Sequence, residues 1–180
     1  GIRIQQSLTG MWGATHLRRG FQSGKRDSQP VDEWKVVFEG SNHHDQRAML
    51  SGFICPEAPC RARLRFQPAP PPGCSDLMPE TLLELALDGR RIFSGRGHDL
   101  VDQVVELSLL PEPQLLEVFV GGRRENDSVR LGMELADGSI GRIPAAWTDP
   151  AKNAKLAELL ADKAIISRTD TGFKAAFVKP

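Results

Sequence analysis

The sequence contains no tyrosine, few aromatic residues and only three cysteines among its 180 residues. Aromatic side chains make up 6% of the chain, which argues against a surface of exposed rings of the kind on which sugars stack. No apolar stretch approaches the roughly 18 residues that a membrane-spanning helix requires. Lysine and arginine together number 23, as do aspartate and glutamate, so the formal net charge is zero. This balance does not indicate a nucleic-acid partner.

Sequence motifs of known catalytic mechanism are also missing. The chain has no glycine-rich phosphate-binding loop, no helical pair of metal-binding histidines and no Gly-x-Ser-x-Gly turn. We therefore expect no catalytic residues and no cofactor, and a domain that works by contact rather than by turnover.

Alternation of apolar and polar residues, the pattern of a half-buried strand, recurs through the chain. It occurs at residues 34–38, 61–66, 82–87, 104–109, 115–120 and 129–136. Pairs typical of hairpin turns lie at Asp88–Gly89, Gly121–Gly122 and Asp137–Gly138. The length and composition suit one folded domain. We predict a mainly β fold, an antiparallel β-sandwich with a short C-terminal helix and hairpin, with a barrel as the alternative.

Two segments interrupt the strand pattern. Residues 67–80 contain five prolines, and because proline lacks a backbone N–H we predict an exposed loop there. Near the C-terminus, leucines recur at helical spacing after Thr148 or Asp149 as a cap and Pro150 as the first helical residue. A closing hairpin is predicted at residues 164–178. We therefore expect a sandwich domain with an irregular N-terminal segment at residues 1–149, and a helix–hairpin appendage packed on it at 150–180.

The three cysteines, Cys55, Cys60 and Cys74, permit one disulfide with three possible pairings. Cys55 and Cys60 flank four residues with proline at both ends, so we predict that these two are bridged, with Cys74 as the next candidate partner. A bridge favours a periplasmic or secreted protein, whereas three reduced thiols are typical of a cytoplasmic one. Because the first residue is Gly1 and not methionine, we expect the chain to be part of a processed or larger protein.

The most chemically suggestive cluster is His43, His44 and Asp45. These residue types can hold a metal, or can form a general base with an orienting carboxylate. However, neighbouring side chains of an extended chain point to opposite sides, so both histidines rarely reach one metal. A solvated turn explains the same residues without any function, and we prefer that interpretation.

Arginines at alternate positions, Arg61, Arg63 and Arg65, are predicted to form a row of guanidinium groups on one strand face, with Arg47 as a fourth candidate. Such a row can bind carboxylates or phosphates through paired hydrogen bonds. The alternative is an ordinary solvent-facing strand whose charges prevent aggregation. We predict these four arginines to be the binding residues.

Part of the chain, about residues 50–149, resembles a known family. The likeness consists of a strand start with glycine, an aromatic residue and proline, an apolar strand ending in Asp-Gly and a basic residue, a long final hairpin, and a closing Ile-Pro segment. These features lie at Leu50–Pro56, Leu85–Ile92, Leu116–Val120 with Val129–Glu134, and Ile143–Trp147. They resemble the sugar-binding-type β-sandwich found at the N-terminus of anthrax protective antigen and inserted in many glycosidases and adhesins.

The resemblance implies a shared scaffold without the calcium site of that family. Its sugar-binding members hold calcium and the sugar hydroxyls with an Asp-Asp pair. In this sequence the corresponding place is the proline-rich loop, which carries a lone Asp76 with no neighbouring acid. Fold alone is no warrant for function.

The function that the sequence favours is a non-catalytic binding or assembly module of a bacterial envelope or secreted protein. We expect contacts through the loops at the ends of the sandwich, with another protein of a larger assembly or a surface glycan as partner. One alternative is a calcium-independent carbohydrate-binding domain attached to a larger enzyme or adhesin. The other is a metal-dependent enzyme that uses His43, His44 and Asp45.

Overall fold

The computed structural model describes residues 1–7, 29–38, 46–69, 82–96, 100, 103–123 and 128–161. In these residues the chain forms β-strands, one short 3-10 helix and one α-helix. The elements are β1 (Ile2–Ser7), β2 (Gln29–Val31), β3 (Lys35–Val37), β4 (Gln46–Ile54), β5 (Cys60–Ala69), β6 (Leu82–Leu87), β7 (Arg90–Arg96), β8 (Val104–Leu109), β9 (Gln114–Arg123), β10 (Ser128–Glu134), β11 (Ile140–Arg142), the 3-10 helix (Ala145–Trp147) and α1 (Ala154–Ala161).

The strands form two antiparallel sheets. The six-stranded sheet has the order β2-β1-β4-β9-β6-β7, and the five-stranded sheet has the order β11-β10-β5-β8, with β3 also paired to β10. One edge of β10 pairs with β5. The opposite edge of β10 pairs with β3 in its first half and with β11 in its second half. The predicted antiparallel β-sandwich is therefore confirmed.

The alternating apolar residues of the two sheets form the core between them. On β5, Ala62, Leu64 and Phe66 are buried while the arginines between them face away from the core. The six-stranded sheet contributes inward-facing residues from its central strands, among them Leu50, Leu85, Leu116 and Val118. Removing this apolar surface from water is the main stabilising contribution to a sandwich of this kind.

Two of the three predicted hairpin turns are present. Asp88 and Gly89 have φ values of 50° and 77°, as a type I′ turn between β6 and β7 requires, and Gly138, with φ of 83°, turns β10 into β11. The third prediction is wrong, because Gly121–Gly122 lies inside β9. A Cβ atom on Gly121 would lie 3.2 Å from the ring of Phe119, so a close approach, not a turn, explains this glycine.

The proline-rich segment begins later than predicted, because β5 continues through Pro68 to Ala69. Pro68 is opposite Val129 of β10, whereas β8 pairs only with Cys60–Arg65. Beyond Arg65, β5 has no pairing with β8. A proline is tolerated on an edge of a strand where its missing N–H is not needed for a hydrogen bond to a neighbouring strand. The rest of the loop, including Asp76, lies outside the described residues.

The C-terminal helix is also shorter than predicted. It begins at Ala154, and Asn153 is its cap: the side-chain Oδ1 accepts hydrogen bonds from the backbone N–H of Lys155 (3.1 Å) and Leu156 (3.2 Å). Asp149 instead accepts from the N–H of Ala151 at 2.9 Å in the preceding turn. The predicted hairpin at 164–178 lies outside the described residues.

Asn153 also ties the helix to the sandwich. Its amide Nδ2 donates to the carbonyl of Cys55 at 2.9 Å and to that of Ala146 at 3.0 Å. The N–H of Cys55 in turn donates to the carbonyl of Trp147 at 2.8 Å. On the helix itself, Leu156 is the buried residue. One asparagine thus caps α1 and links it to the end of β4.

Candidate functional site

The three alternating arginines lie together on the outer face of the five-stranded sheet. Arg61 and Arg63 are exposed and Arg65 is half-buried. The predicted row of guanidinium groups on β5 is therefore present. Because residues directly opposite one another in antiparallel strands share a face, the side chains that flank the row follow from the register.

Arg63, in the middle of the row, lies between carboxylates from both neighbouring strands. It donates from Nε to Oε2 of Glu134 on β10 at 2.6 Å and from a terminal nitrogen to Oε1 of Glu106 on β8 at 2.5 Å. Oε1 of Glu134 is 2.7 Å from Nε of Arg65. One carboxylate therefore bridges two successive arginines of the row.

This bridging has a clear electrostatic effect. The hydrogen bond from Arg63, together with the positive charges of Arg63 and Arg65, lowers the pKa of the Glu134 carboxyl. The same hydrogen bond and the charge of Glu134 raise the pKa of the Arg63 guanidinium. Glu134 and Arg63 are consequently both charged at neutral pH.

A second group of charges lies at the other side of the same face. Nε of Arg142, on β11, is 3.0 Å from Oε2 of Glu33, and Nε of Arg130, on β10, is 4.0 Å from that same oxygen. Lys35 of β3 is exposed and is opposite Arg130. Sequence reasoning did not find this group, because its members are brought to β5 only by the register of three strands.

We call the combined surface the basic face. It consists of Lys35, Arg61, Arg63, Arg65, Arg130 and Arg142 with Glu33, Glu106 and Glu134. Six cations and three carboxylates leave an excess of three positive charges on a chain whose formal net charge is zero. Among the described residues, no carboxylate pairs with Arg61 or Lys35. The positive charge is therefore concentrated, and two members of the face have no carboxylate partner within the described part of the chain.

Arg47 does not belong to the basic face. It lies on β4, opposite Gly121 of β9, in the six-stranded sheet. Its neighbour Ala48 is in the core, so Arg47 faces away from the core on the other side of the sandwich. The structure brings together three of the four predicted arginines and separates the fourth.

The centre of the outer face of the six-stranded sheet is buried, unlike the basic face, whereas Arg91, Ser94 and Arg96 at its β7 edge are exposed. Met49, Ala86 and Phe119 form a small apolar cluster there, and Glu84 and Glu117 are each 1% exposed. Glu84 accepts a hydrogen bond from the hydroxyl of Ser94 at 3.2 Å and lies 3.5 Å from Arg91. The part of this surface that reaches solvent therefore lies toward the edges of the sheet.

Glu117 is a buried carboxyl whose pKa differs strongly from its ordinary value. It lies on the central strand β9, opposite Ser51 of β4 and Ala86 of β6, and its Oε1 has no hydrogen-bond partner among the residues that the structure describes. Burial, with a smaller contribution from the negative charge of Asp88, raises the pKa of Glu117 from 4.5 to about 8. The residue is therefore mostly protonated at neutral pH.

The predicted Cys55–Cys60 disulfide is wrong. Both cysteines are free thiols, with Cys55 buried and Cys60 half-buried. Cys55 follows β4 of one sheet and Cys60 begins β5 of the other. Packed sheets lie about 10 Å apart, which exceeds the Cα separation that a disulfide accepts. Burial raises the pKa of the Cys60 thiol, and Cys74 lies outside the described residues.

His43, His44 and Asp45 also lie outside the described residues, so the structure does not locate this cluster. Within the described part of the chain, no group of three or more histidine, cysteine or carboxylate side chains could hold a metal ion. In the same residues, no helix is long and apolar enough to cross a membrane.

No protein-family model matches the chain, and no curated protein sequence matches it. Among solved structures, its fold is similar to a PA14 sugar-binding domain from an RTX adhesin, at a TM-score of 0.53 and 10% identity, over 82% of this chain and 97% of that domain. It is also similar to an anti-sigma factor domain-containing protein from Clostridium clariflavum, at a TM-score of 0.51 and 10% identity, over 82% of this chain. The chain spans 46% of that clostridial chain. At these identities the likeness concerns the fold alone.

Proposed function

We propose that this chain is a non-catalytic binding module that contacts an acidic partner, another protein of a larger assembly, through its basic face. The observation that supports this most strongly is the excess of three positive charges on one sheet face whose central arginines are held in place by ion pairs. Arginines fixed in this way recognise carboxylates with little loss of side-chain entropy. The proposed contact surface is a sheet face, whereas the sequence led us to expect contacts through the loops at the ends of the sandwich.

The proposed setting is a periplasmic or secreted protein of a bacterial envelope. The fold shared with a domain of an RTX adhesin supports this setting. The free thiols of Cys55 and Cys60 remove the disulfide as a reason for it.

A second candidate function is a calcium-independent carbohydrate-binding domain attached to a larger enzyme or adhesin. It is supported by the same shared fold, because that neighbour is a sugar-binding domain. The low aromatic content of the sequence argues against it. Binding of neutral oligosaccharides in the absence of calcium would favour this candidate over the acidic partner.

The proposal is tested by removing the two cations of the basic face that have no carboxylate partner among the described residues. Replacing Lys35 and Arg61 together by serine is expected to weaken binding of a polyglutamate probe about ten-fold at low salt, because two charge-assisted contacts are lost while every ion pair of the face remains. Isothermal titration calorimetry measures the change in Kd.

The matched control replaces Arg90 and Lys152, exposed cations outside the basic face, by serine, which changes the net charge equally. Equal weakening by both double variants would mean that the probe senses overall charge and would contradict the proposal. Replacing His43 and His44 together by alanine is expected to leave binding unchanged. If that variant alone abolished the module's activity, the metal-dependent enzyme would replace the proposed function.

A further inference from the structure

We propose that the basic face selects an extended peptide with acidic residues at alternate positions, and that Glu134 competes with this peptide for the same arginines. This inference rests on the proposed function, since it requires that an acidic partner binds the face. It adds the chemical form of the partner and the residue that limits its affinity.

The spacing of the arginines favours an extended peptide. Arg61, Arg63 and Arg65 are alternate residues of one strand, so their attachment points repeat at about 6.6 Å. Alternate side chains of any other extended peptide repeat at that same distance and lie on one face. Acidic residues at alternate positions would therefore meet successive arginines without a change of register.

Glu134 already displays the contact that such a peptide would make. Its two carboxylate oxygens lie between Arg63 and Arg65, at 2.6 Å and 2.7 Å from the two Nε atoms. A carboxylate thus fits between two successive arginines of the row. A peptide carboxylate can take this place only by displacing Glu134, which occupies it within the same chain.

The positions of Arg61 and Lys35, which pair with no carboxylate of the described segments, indicate how long the peptide must be. Arg61 is near the start of β5, whereas Lys35 lies beside Arg130, which is opposite Gln67 near the other end of the strand. The six steps from residue 61 to residue 67 span about 20 Å in an extended strand. A ligand that reaches from Arg61 to Lys35 is therefore a segment of at least about seven extended residues, and a single carboxylate cannot contact both cations.

If Glu134 competes with the peptide, then removing its negative charge should strengthen peptide binding more than removing one negative charge elsewhere on the surface does. Replacing Glu134 by glutamine frees Arg63 and Arg65 for the ligand, and we expect the Kd for the peptide to fall about five-fold. Glu106→Gln frees only one nitrogen of Arg63 and should have a smaller effect in the same direction. Since Glu106 is exposed, this second variant keeps the test valid if Glu134→Gln lowers stability.

The experiment uses the full chain and three probes of equal charge at one salt concentration. The first is an eight-residue peptide in which Glu and Ser alternate, the second contains four Glu followed by four Ser, and the third is a tetragalacturonate. Glu158→Gln, on the exposed side of α1, is the matched control for the change in charge. We expect the alternating peptide to bind most tightly, and Glu134→Gln, but not Glu158→Gln, to tighten it further.

Each of the other outcomes contradicts one specific step of the proposal. Equal Kd values for the two peptides would overturn the spacing argument, and equal effects of Glu134→Gln and Glu158→Gln would overturn the competition. Tighter binding of the tetragalacturonate would replace the peptide by an anionic glycan while leaving the basic face as the contact surface. Failure of all three probes to bind would overturn the proposed function itself.

Discussion

Replacing Glu117 by glutamine is expected to remove most of the pH dependence of the domain's stability between pH 5 and pH 8. In the folded protein burial holds the pKa of Glu117 at about 8, whereas in the unfolded chain it is near its ordinary value. Between these two values the folded state retains a proton that the unfolded state has released, so the free energy of unfolding falls as pH rises. One pKa unit corresponds to about 1.4 kcal/mol, and we expect the wild-type chain to lose about 3 kcal/mol across this range.

Urea unfolding at pH 5, 6.5 and 8 measures this effect. At pH 5 the wild type and Glu117→Gln should have similar stability, because both carry a neutral group at this position, and at pH 8 the variant should be the more stable. Glu158→Gln, a change of an exposed carboxyl on α1, should keep the wild-type pH dependence. If wild type and Glu117→Gln differed equally at all three pH values, the carboxyl would not be titrating inside the fold.

Replacing Asn153 by alanine is expected to destabilise the domain by about 2–3 kcal/mol. The substitution removes the cap of α1, a loss of about 1 kcal/mol, and two hydrogen bonds to the carbonyls of Cys55 and Ala146, each contributing about 1 kcal/mol. Denaturant unfolding monitored by circular dichroism gives the change in the free energy of unfolding.

Asn153→Ser separates the two roles of this side chain. Serine retains an oxygen that can cap the helix, but it has no amide to reach the two carbonyls, so about two thirds of the loss should remain. A loss below about 0.5 kcal/mol in Asn153→Ala, within the range of ordinary surface substitutions, would show that the asparagine does not hold the helix to the sandwich.

The strands were predictable where one face is apolar and the other polar. On β5 and β8 this alternation matches the structure residue by residue, and the Asp-Gly pairs at 88–89 and 137–138 correctly identified turns. The pattern was less informative on β6 and β9, where Glu84 and Glu117 occupy the polar positions of an alternating pattern but are buried. Whether the second face of a strand is buried depends on what packs against the sheet. The alternation of residues along one strand carries no information about this packing.

The candidate site was predictable only in its central row. The three arginines of β5 follow from the spacing of one strand, but their partners Glu106 and Glu134 are 43 and 71 residues away from Arg63. Only the register of β8 and β10 brings these carboxylates into contact with the row. The disulfide prediction failed for a related reason, since closeness along the chain did not reveal that Cys55 follows a strand of one sheet and Cys60 begins a strand of the other.

Nuclear magnetic resonance tests most directly whether the basic face is the contact surface. Titrating the isotope-labelled chain with the alternating Glu-Ser peptide should shift the backbone amide signals of Arg61, Arg63 and Arg65 most, together with those of their neighbours on β8 and β10. The signals of Leu116 and Val118, in the core strand β9 of the opposite sheet, should remain in place. Largest shifts on the six-stranded sheet or on α1, with the β5 signals unchanged, would contradict the account.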